Sequence, residues 1–292
     1  MNPIFSRTLQ AICSIAIVGL LSACGASSTV EPFKPSRVVG LGDGFNDPAA
    51  TVDDGTTTRT VVGQVAAYFG QPNIVSKAKA GAKIKASTGS LIPDLAAQID
   101  DVVTNNGGFS ATDLVFIAVG TFDVKEGTNP NTAAQDLVTQ VQRIKAAGAK
   151  HILIMPVLDV SRTPWGRANP STVSTTATNT FNEAVLLALS TAFGGQTPNS
   201  VIYANASGVT SLFLTATSLT VFSPFTDTGF SLTVAAGTLP ACGSATLFTG
   251  CTTAVANANY TSMMFANGIH LTPAGNRWVA QFLFNATAQG WR

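Results

Sequence analysis

Charged side chains are scarce in this chain. Among 292 residues there are 16 Lys or Arg and 15 Asp or Glu, which together make 11% of the sequence. A typical globular domain carries about 25% charged residues. A protein that follows a phosphate backbone needs clustered cations, and here the formal net charge is +1 with no basic run. The sequence therefore predicts no nucleic-acid partner.

Cysteine and histidine are also rare, with four Cys and two His. Cys13 and Cys24 lie near the N-terminus, which leaves Cys242 and Cys251 for the rest of the chain. A structural zinc site needs four ligands, and only His270 lies near this pair, so we predict no metal site and no cofactor. In an oxidising compartment Cys242 and Cys251 are expected to form a disulfide. Two unpaired thiols are the alternative.

Long apolar runs are missing except at the N-terminus, where residues 11–21 are almost wholly apolar and follow Arg7. The run is too short to span a bilayer comfortably, and it has the charged and apolar regions of a secretory signal. It ends in LSACG at residues 21–25, which resembles a bacterial lipobox. We therefore predict a signal peptide over residues 1–23 and lipidation of Cys24. A plain signal peptide or a short anchor is the alternative.

The segment after Cys24 is short, small and polar, with two prolines, which is typical of a tether. The predicted organisation is a signal peptide at 1–23, a tether at 24–36 and one domain at 37–292. The resemblance to lipoproteins implies that Gly25, which is not Asp, permits sorting to the outer membrane. The expected location is the bacterial cell envelope, and the expected partner is the membrane, through the lipid on Cys24.

The rest of the chain alternates short apolar runs with helical patterns. Continuous apolar strands suit a parallel sheet covered on both faces, and their alternation with helices predicts a three-layer α/β/α fold, a flavodoxin-like doubly wound parallel sheet. Residues 205–262 have no clean period and are expected to form an irregular excursion. The predicted strands are 37–41, 113–119, 150–157 and 200–204, and the predicted helices are 60–70, 91–104, 132–148, 181–193 and 273–289.

Ligands of such folds bind beyond the carboxyl ends of the strands. Two predicted strands end in polar segments, Asp43-Gly44 after the first and Thr121-Phe122-Asp123 after the second. We expect these segments to lie at the same edge of the sheet. This expectation selects a candidate site from the strand pattern alone.

Four segments, read in order, carry a family resemblance. Residues 39–47 read VGLGDGFND, residues 79–82 read KAGA, residues 91–123 end in GTFD, and residues 266–275 read ANGIHLTPAG. They resemble the sequence blocks of the SGNH or GDSL hydrolases, a superfamily of serine esterases and lipases. The resemblance covers residues 37–288. It implies the α/β/α fold of that family and chemistry on ester bonds.

The resemblance also implies that three catalytic side chains are replaced. The family's nucleophilic Ser falls on Gly44, its oxyanion-hole Asn on Phe122 and its triad Asp on Asn267. Covalent acyl transfer needs a hydroxyl or thiol beside a base. In subtilisin, loss of the serine lowers turnover by about 2 × 10⁶. Each replacement alone is therefore expected to be severe.

Two functional positions of the family remain, the side chain of His270 and the backbone donor at Gly81. Asp43 and Asp123 flank the altered positions, and we expect them to accept backbone hydrogen bonds rather than to catalyse. His151, which begins an apolar strand, is expected to be structural.

Two functions remain open. In the first, the protein is non-catalytic and uses its cleft, or the surface around it, to bind an acyl-ester or acylated-glycan ligand. In the second, it is a weak ester hydrolase in which His270 activates water, or which recruits Thr121 or Ser90 as nucleophile. An open cleft would favour binding, whereas a cleft plugged by Phe122 would favour a structural or surface-interaction role.

Overall fold

A computed structural model describes residues 33–53, 55–194, 200–204, 218–222, 229–233 and 264–291. The predicted signal peptide, the lipidation site at Cys24 and the disulfide between Cys242 and Cys251 lie outside these residues. All three stay predictions.

The core of the fold is a five-stranded sheet in which all neighbouring strands are parallel. The strand order is β2-β1-β3-β4-β5, which is the flavodoxin-like order, and it confirms the predicted fold. Every residue of the central strand β3 is buried, as expected for a strand with a helical layer on each side. The strands are β1 (Arg37–Gly42), β2 (Ile74–Ser76), β3 (Asp113–Ala118), β4 (His151–Met155) and β5 (Val201–Tyr203).

Seven helices are present in the described ranges, and none of them is both long and apolar enough to cross a lipid bilayer. The chain moves one way along the sheet from β1 to β2 and the other way afterwards, so right-handed connections place α1 and α2 on opposite faces. Helix α7 packs on α1, whereas α4 packs on α2 and α6. The helices are α1 (Val61–Tyr68), α2 (Leu95–Asn105), α3 (Thr121–Lys125), α4 (Pro130–Ala146), α5 (Pro164–Ala168), α6 (Thr175–Phe193) and α7 (Pro273–Gly290).

Two helices begin four or more residues away from their predicted starts, and their N-caps explain why. Helix α2 begins at Leu95, after Asp94, whose side chain accepts from the N–H of Ala97. Pro93 disfavours helical backbone at the residue before it, so the predicted start at 91 was wrong. Helix α6 begins six residues before its predicted start, because Ser174 caps it through the N–H of Ala177.

Short elements escaped the sequence analysis. Strand β2 has three half-buried residues, and α3 and α5 have five residues each, so none of them repeats a pattern long enough to detect. The stretch expected to be irregular contains an antiparallel pair, β6 (Ser218–Phe222) with β7 (Gly229–Thr233). The expectation of an irregular excursion was therefore wrong for these ten residues.

Candidate functional site

The turn after β1 is held in place by a side chain from α2. The amide of Gln98 accepts from the N–H of Gly42 at 2.7 Å and donates to its carbonyl at 2.9 Å. Gly42 has a φ of +112°, and a Cβ there would overlap the carbonyl oxygen of Ala118 on β3, so only glycine fits. The next N–H, that of Asp43, donates to the same carbonyl at 2.7 Å. This turn places Asp43 and Gly44 at the carboxyl edge of the sheet.

Gln98 was not among the predicted site residues, although its position in the helical pattern is a signal for it. Leu95, Ile99 and Val102 form the buried face of α2, and Gln98 lies on that face. A buried polar side chain needs a hydrogen-bond partner. The turn of β1 supplies that partner.

His270 lies in a tight loop just before α7. The N–H of Ala266 donates to the carbonyl of His270 at 2.8 Å, and Phe265 and Leu271 form an antiparallel bridge. The hydroxyl of Thr51 donates to the carbonyl of Leu271 at 2.7 Å. Thr272 then caps α7 through the N–H of Gly275. The loop is thus anchored on both sides, and His270 is only 1% exposed.

The imidazole of His270 fills the space beside Gly44. A Cβ on Gly44 would lie 2.5 Å from Cε1 and 2.6 Å from Cδ2 of His270, closer than real Cβ contacts come. The ring centroids of Phe45 and Phe122 lie 5.5 Å and 6.1 Å from that of the imidazole, and Phe122 is 5% exposed. The fold therefore brings Gly44, Phe122 and His270 together. Aromatic rings occupy the space that a polar cleft would need.

The side chain of Asn267 forms hydrogen bonds with backbone groups on both sides. Its Oδ1 accepts from the N–H groups of Ile269 at 3.1 Å and His270 at 2.8 Å. Its Nδ2 donates to the carbonyl of Ala50 at 2.7 Å. Donors on one side and an acceptor on the other define the orientation of this amide. Being neutral, the amide offers no negative charge to stabilise an imidazolium.

Gly81 lies on the loop that follows β2, and hydrogen bonds hold this loop at the carboxyl edge of the sheet. The N–H of Lys79 donates to the carbonyl of Gly42 at 3.0 Å, and the N–H of Ala80 donates to Oδ2 of Asp47 at 3.0 Å. A Cβ on Gly81 would lie 2.8 Å from Cδ1 of Ile92. Within the part of the chain that the structure describes, neither Gly44 nor Gly81 uses its N–H in a hydrogen bond.

The two flanking aspartates are buried and hold the loops. Oδ1 of Asp43 accepts from the N–H of Phe45 at 3.2 Å. Burial raises the pKa of Asp43 to about 7, against hydrogen bonds from Thr121 and Phe45 that lower it. Oδ2 of Asp123 accepts from the N–H of Ile84 at 3.0 Å. Burial raises the pKa of Asp123 to about 6, and the Ile84 hydrogen bond and the charge of Lys83 oppose this change.

The remaining candidates have structural contacts. Thr121 is buried and lowers the pKa of Asp43, whereas the hydroxyl of Ser90 exchanges hydrogen bonds with the backbone of Ile92. The ring of His151 packs edge-on against Trp291 at 5.3 Å, and burial lowers its pKa. Among the described residues, no group of three or more His, Cys, Asp or Glu side chains is arranged to hold a metal ion.

Comparison with known proteins gives one family. The model of the GDSL-like lipase/acylhydrolase family matches residues 38–283. No curated protein sequence matches the chain.

Solved structures resemble the fold at low sequence identity. A member of the lipolytic G-D-S-L family from Veillonella parvula is 12% identical, covering 85% of this chain and 96% of its own, with a TM-score of 0.49. A lipase/acylhydrolase from Enterococcus faecalis is 12% identical, with coverages of 88% and 97% and a TM-score of 0.47. A carbohydrate acetylesterase from Sinorhizobium meliloti is 14% identical, with coverages of 87% and 99% and a TM-score of 0.48.

Proposed function

Because the chain belongs to the GDSL-like lipase/acylhydrolase family, we propose that it is a cell-envelope lipoprotein whose esterase-like domain binds an acyl ester or acylated glycan without cleaving it. The observation that carries this proposal is the contact between Gly44 and His270. Residue 44 has no nucleophile, and the imidazole lies where its side chain would be.

The surroundings support the loss of catalysis. Acyl transfer needs a nucleophile beside a base, donors for the oxyanion and a charge that stabilises the imidazolium. Gly44 lacks the first, the phenyl ring of Phe122 lacks an amide donor, and the neutral amide of Asn267 is held by backbone groups. These three side chains therefore supply no nucleophile, no amide donor and no negative charge.

The rim of the site, which is the surface formed by Gly81, Leu91 and Ile92, supports ligand binding. Gly44 and His270 are buried, so the binding surface in this proposal is the loop around Gly81. The N–H of Gly81 is a donor for a carbonyl oxygen. Leu91 is 100% exposed, and the neighbouring Ile92, which packs over Gly81, is 37% exposed. A hydrocarbon chain can lie on these two side chains while its ester oxygen reaches Gly81.

Methyl hexanoate tests binding and the absence of cleavage in one sample of the full chain. We expect ligand-observed NMR to detect binding of the ester, with no hexanoate formed beyond the rate without protein. Leu91→Ser is expected to weaken binding at least about five-fold, because it removes apolar contact area. The matched control is Leu187→Ser, since Leu187 lies on α6 and is 70% exposed.

Two results would contradict the proposal. Hexanoate formation that disappears in a folded His270→Ala variant would show a weak hydrolase that uses His270. Binding that is absent, or that Leu91→Ser leaves unchanged, would exclude the rim as the ligand surface. Thermal unfolding of each variant establishes that it is folded.

The predicted anchor has its own test, which is replacement of Cys24. We expect Cys24→Ala to move the protein from the membrane fraction to the soluble fraction, because acyl chains hold a lipoprotein in the bilayer at about 0.8 kcal/mol per buried CH₂. Cys13→Ala, within the same signal segment, is the control and is expected to remain in the membrane fraction. Unchanged fractionation of Cys24→Ala would count against lipidation.

A further inference from the structure

A cavity of about 270 Å³, with both polar and apolar lining, lies beside the candidate site. It lies between the loop that follows β2 and the first turns of α4, with Asp123 as part of its wall. One water molecule takes about 30 Å³ in the liquid, so the cavity has room for one small molecule. Its charged and hydroxyl-bearing lining includes Lys83, Lys85, Ser87, Thr132 and Asp136.

Hydrogen bonds hold the walls of this cavity in shape. The N–H of Ile84 donates to Asp123 at 3.0 Å, and the N–H of Ala86 donates to Asp94 at 3.1 Å. On the other wall, Asn129 caps α4 by accepting from the N–H of Thr132 at 3.1 Å. Because these groups are already ordered, a ligand pays little entropy to organise them.

Both lysines that face the cavity are paired with carboxylates. Nζ of Lys83 lies 2.8 Å from a carboxylate oxygen of Glu126 and donates to the hydroxyl of Ser87 at 3.1 Å. Nζ of Lys85 lies 4.0 Å from Oδ1 of Asp136. An anion would have to compete with Glu126 or Asp136 for these ammonium groups. A neutral ligand can accept from the ammonium groups and donate to the carboxylates without separating them.

We propose that this cavity binds one neutral, polyhydroxylated ring, that is, a monosaccharide unit. A sugar hydroxyl both donates and accepts, so it matches a lining that contains ammonium groups, carboxylates and hydroxyls. The cavity lining contains no aromatic side chain, so stacking adds nothing and the expected affinity is on the order of millimolar. This site does not depend on the proposed acyl-binding rim.

The test uses the full chain in a detergent without a sugar headgroup. Saturation-transfer NMR measures binding of glucose, galactose and N-acetylglucosamine, with glycine and inorganic phosphate as charged probes. We expect at least one of the three sugars to bind, and to bind more tightly than either charged probe. Absence of binding by all three sugars, or preference for glycine or phosphate, would overturn the proposal.

Matched variants locate the binding. Thr132→Val and Asp136→Asn each remove a cavity hydrogen-bonding group, and each is expected to weaken sugar binding about five-fold. Thr139→Val on the same helix and Asp100→Asn, which pairs with Arg143 outside the cavity, are expected to leave it unchanged. Equal affinities in all four variants would place the sugar elsewhere and overturn the assignment. Methyl hexanoate binding in the same variants separates a failure here from a failure at the rim.

Discussion

Gly44→Ser alone is expected to restore no ester hydrolysis and to destabilise the fold. The new Cβ would lie within 2.6 Å of the imidazole carbons Cε1 and Cδ2 of His270. The ring must therefore turn away from a site in which it is 1% exposed and packed between Phe45 and Phe122. Extra atoms in a well-packed core typically cost about 1–3 kcal/mol, and we expect a loss of unfolding free energy of this size.

Ester hydrolysis by Gly44→Ser would fail even if the imidazole of His270 moved aside. Replacement of the triad Asp by Asn lowers turnover by about 10⁴ in a serine protease, and one lost oxyanion donor costs about 10² to 10³. Such losses do not add, because members of one catalytic unit fail together. The serine hydroxyl would thus meet a base without its anionic partner and a site without its amide donor.

Restoring the acid as well meets a structural obstacle. In Asn267→Asp, a carboxylate oxygen would replace Nδ2, which now donates to the carbonyl of Ala50 at 2.7 Å. Two acceptors would then face each other in a buried site, which costs about 1–3 kcal/mol. We therefore expect Gly44→Ser with Asn267→Asp to hydrolyse no faster than Gly44→Ser alone.

The measurement compares hydrolysis of short- and long-chain p-nitrophenyl esters with urea unfolding of the same variants. Gly44→Ala is the matched control, since it introduces the same Cβ without a hydroxyl, and it is expected to lose as much stability as Gly44→Ser. Turnover well above background in Gly44→Ser but not in Gly44→Ala would show that the nucleophile alone is sufficient. That result would contradict the proposed loss of function.

The sequence predicted the central strands well because their signal is local. β1, β3 and β4 are continuous apolar runs, and such runs are typical of a buried parallel sheet. β2 escaped because three half-buried residues make no pattern. Where helices begin depended on capping side chains, as Asp94 and Ser174 show.

The candidate site was predictable in its members but not in its contacts. The four family blocks select Gly44, Gly81, Phe122 and His270, and the strand pattern independently selects the edge on which they lie. Which atoms fill the space beside Gly44 depends on packing between segments far apart in sequence. The same holds for the bond from Asn267 to Ala50. The family resemblance implies that Gly44 stands in place of a serine, whereas only the structure shows that the imidazole of His270 lies beside it.

Asp43→Asn is expected to stabilise the protein at neutral pH and to flatten its pH dependence. Burial raises the pKa of Asp43 from 3.8 to about 7, so the folded state binds this proton more tightly than the unfolded state. The stability that Asp43 contributes is fully present below about pH 4 and is lost as the pH rises through 7. Over about three pH units, at about 1.4 kcal/mol per unit, the loss is about 4 kcal/mol.

In Asp43→Asn, the side chain keeps the hydrogen bond that does not require a negative charge. Its oxygen can still accept from the N–H of Phe45, and it has no carboxylate to desolvate. Relative to the wild type, Asp43→Asn should therefore gain a few kcal/mol between pH 4 and pH 8. Asp123→Asn is the comparison variant, and its gain should be smaller and complete near pH 6, because the pKa of Asp123 is raised only to about 6.

Urea unfolding at each pH unit from 4 to 8 measures these differences directly, and subtracting the wild-type curve removes the contribution of every other titrating group. Parallel curves for the wild type and Asp43→Asn would mean that Asp43 titrates alike in both states, so that water reaches its carboxylate in the fold. Curves that diverge from pH 4 and become parallel above 7 would show a buried acid at the end of β1. Such an acid lowers stability at neutral pH beside Gly44, which has no side chain to act as a nucleophile.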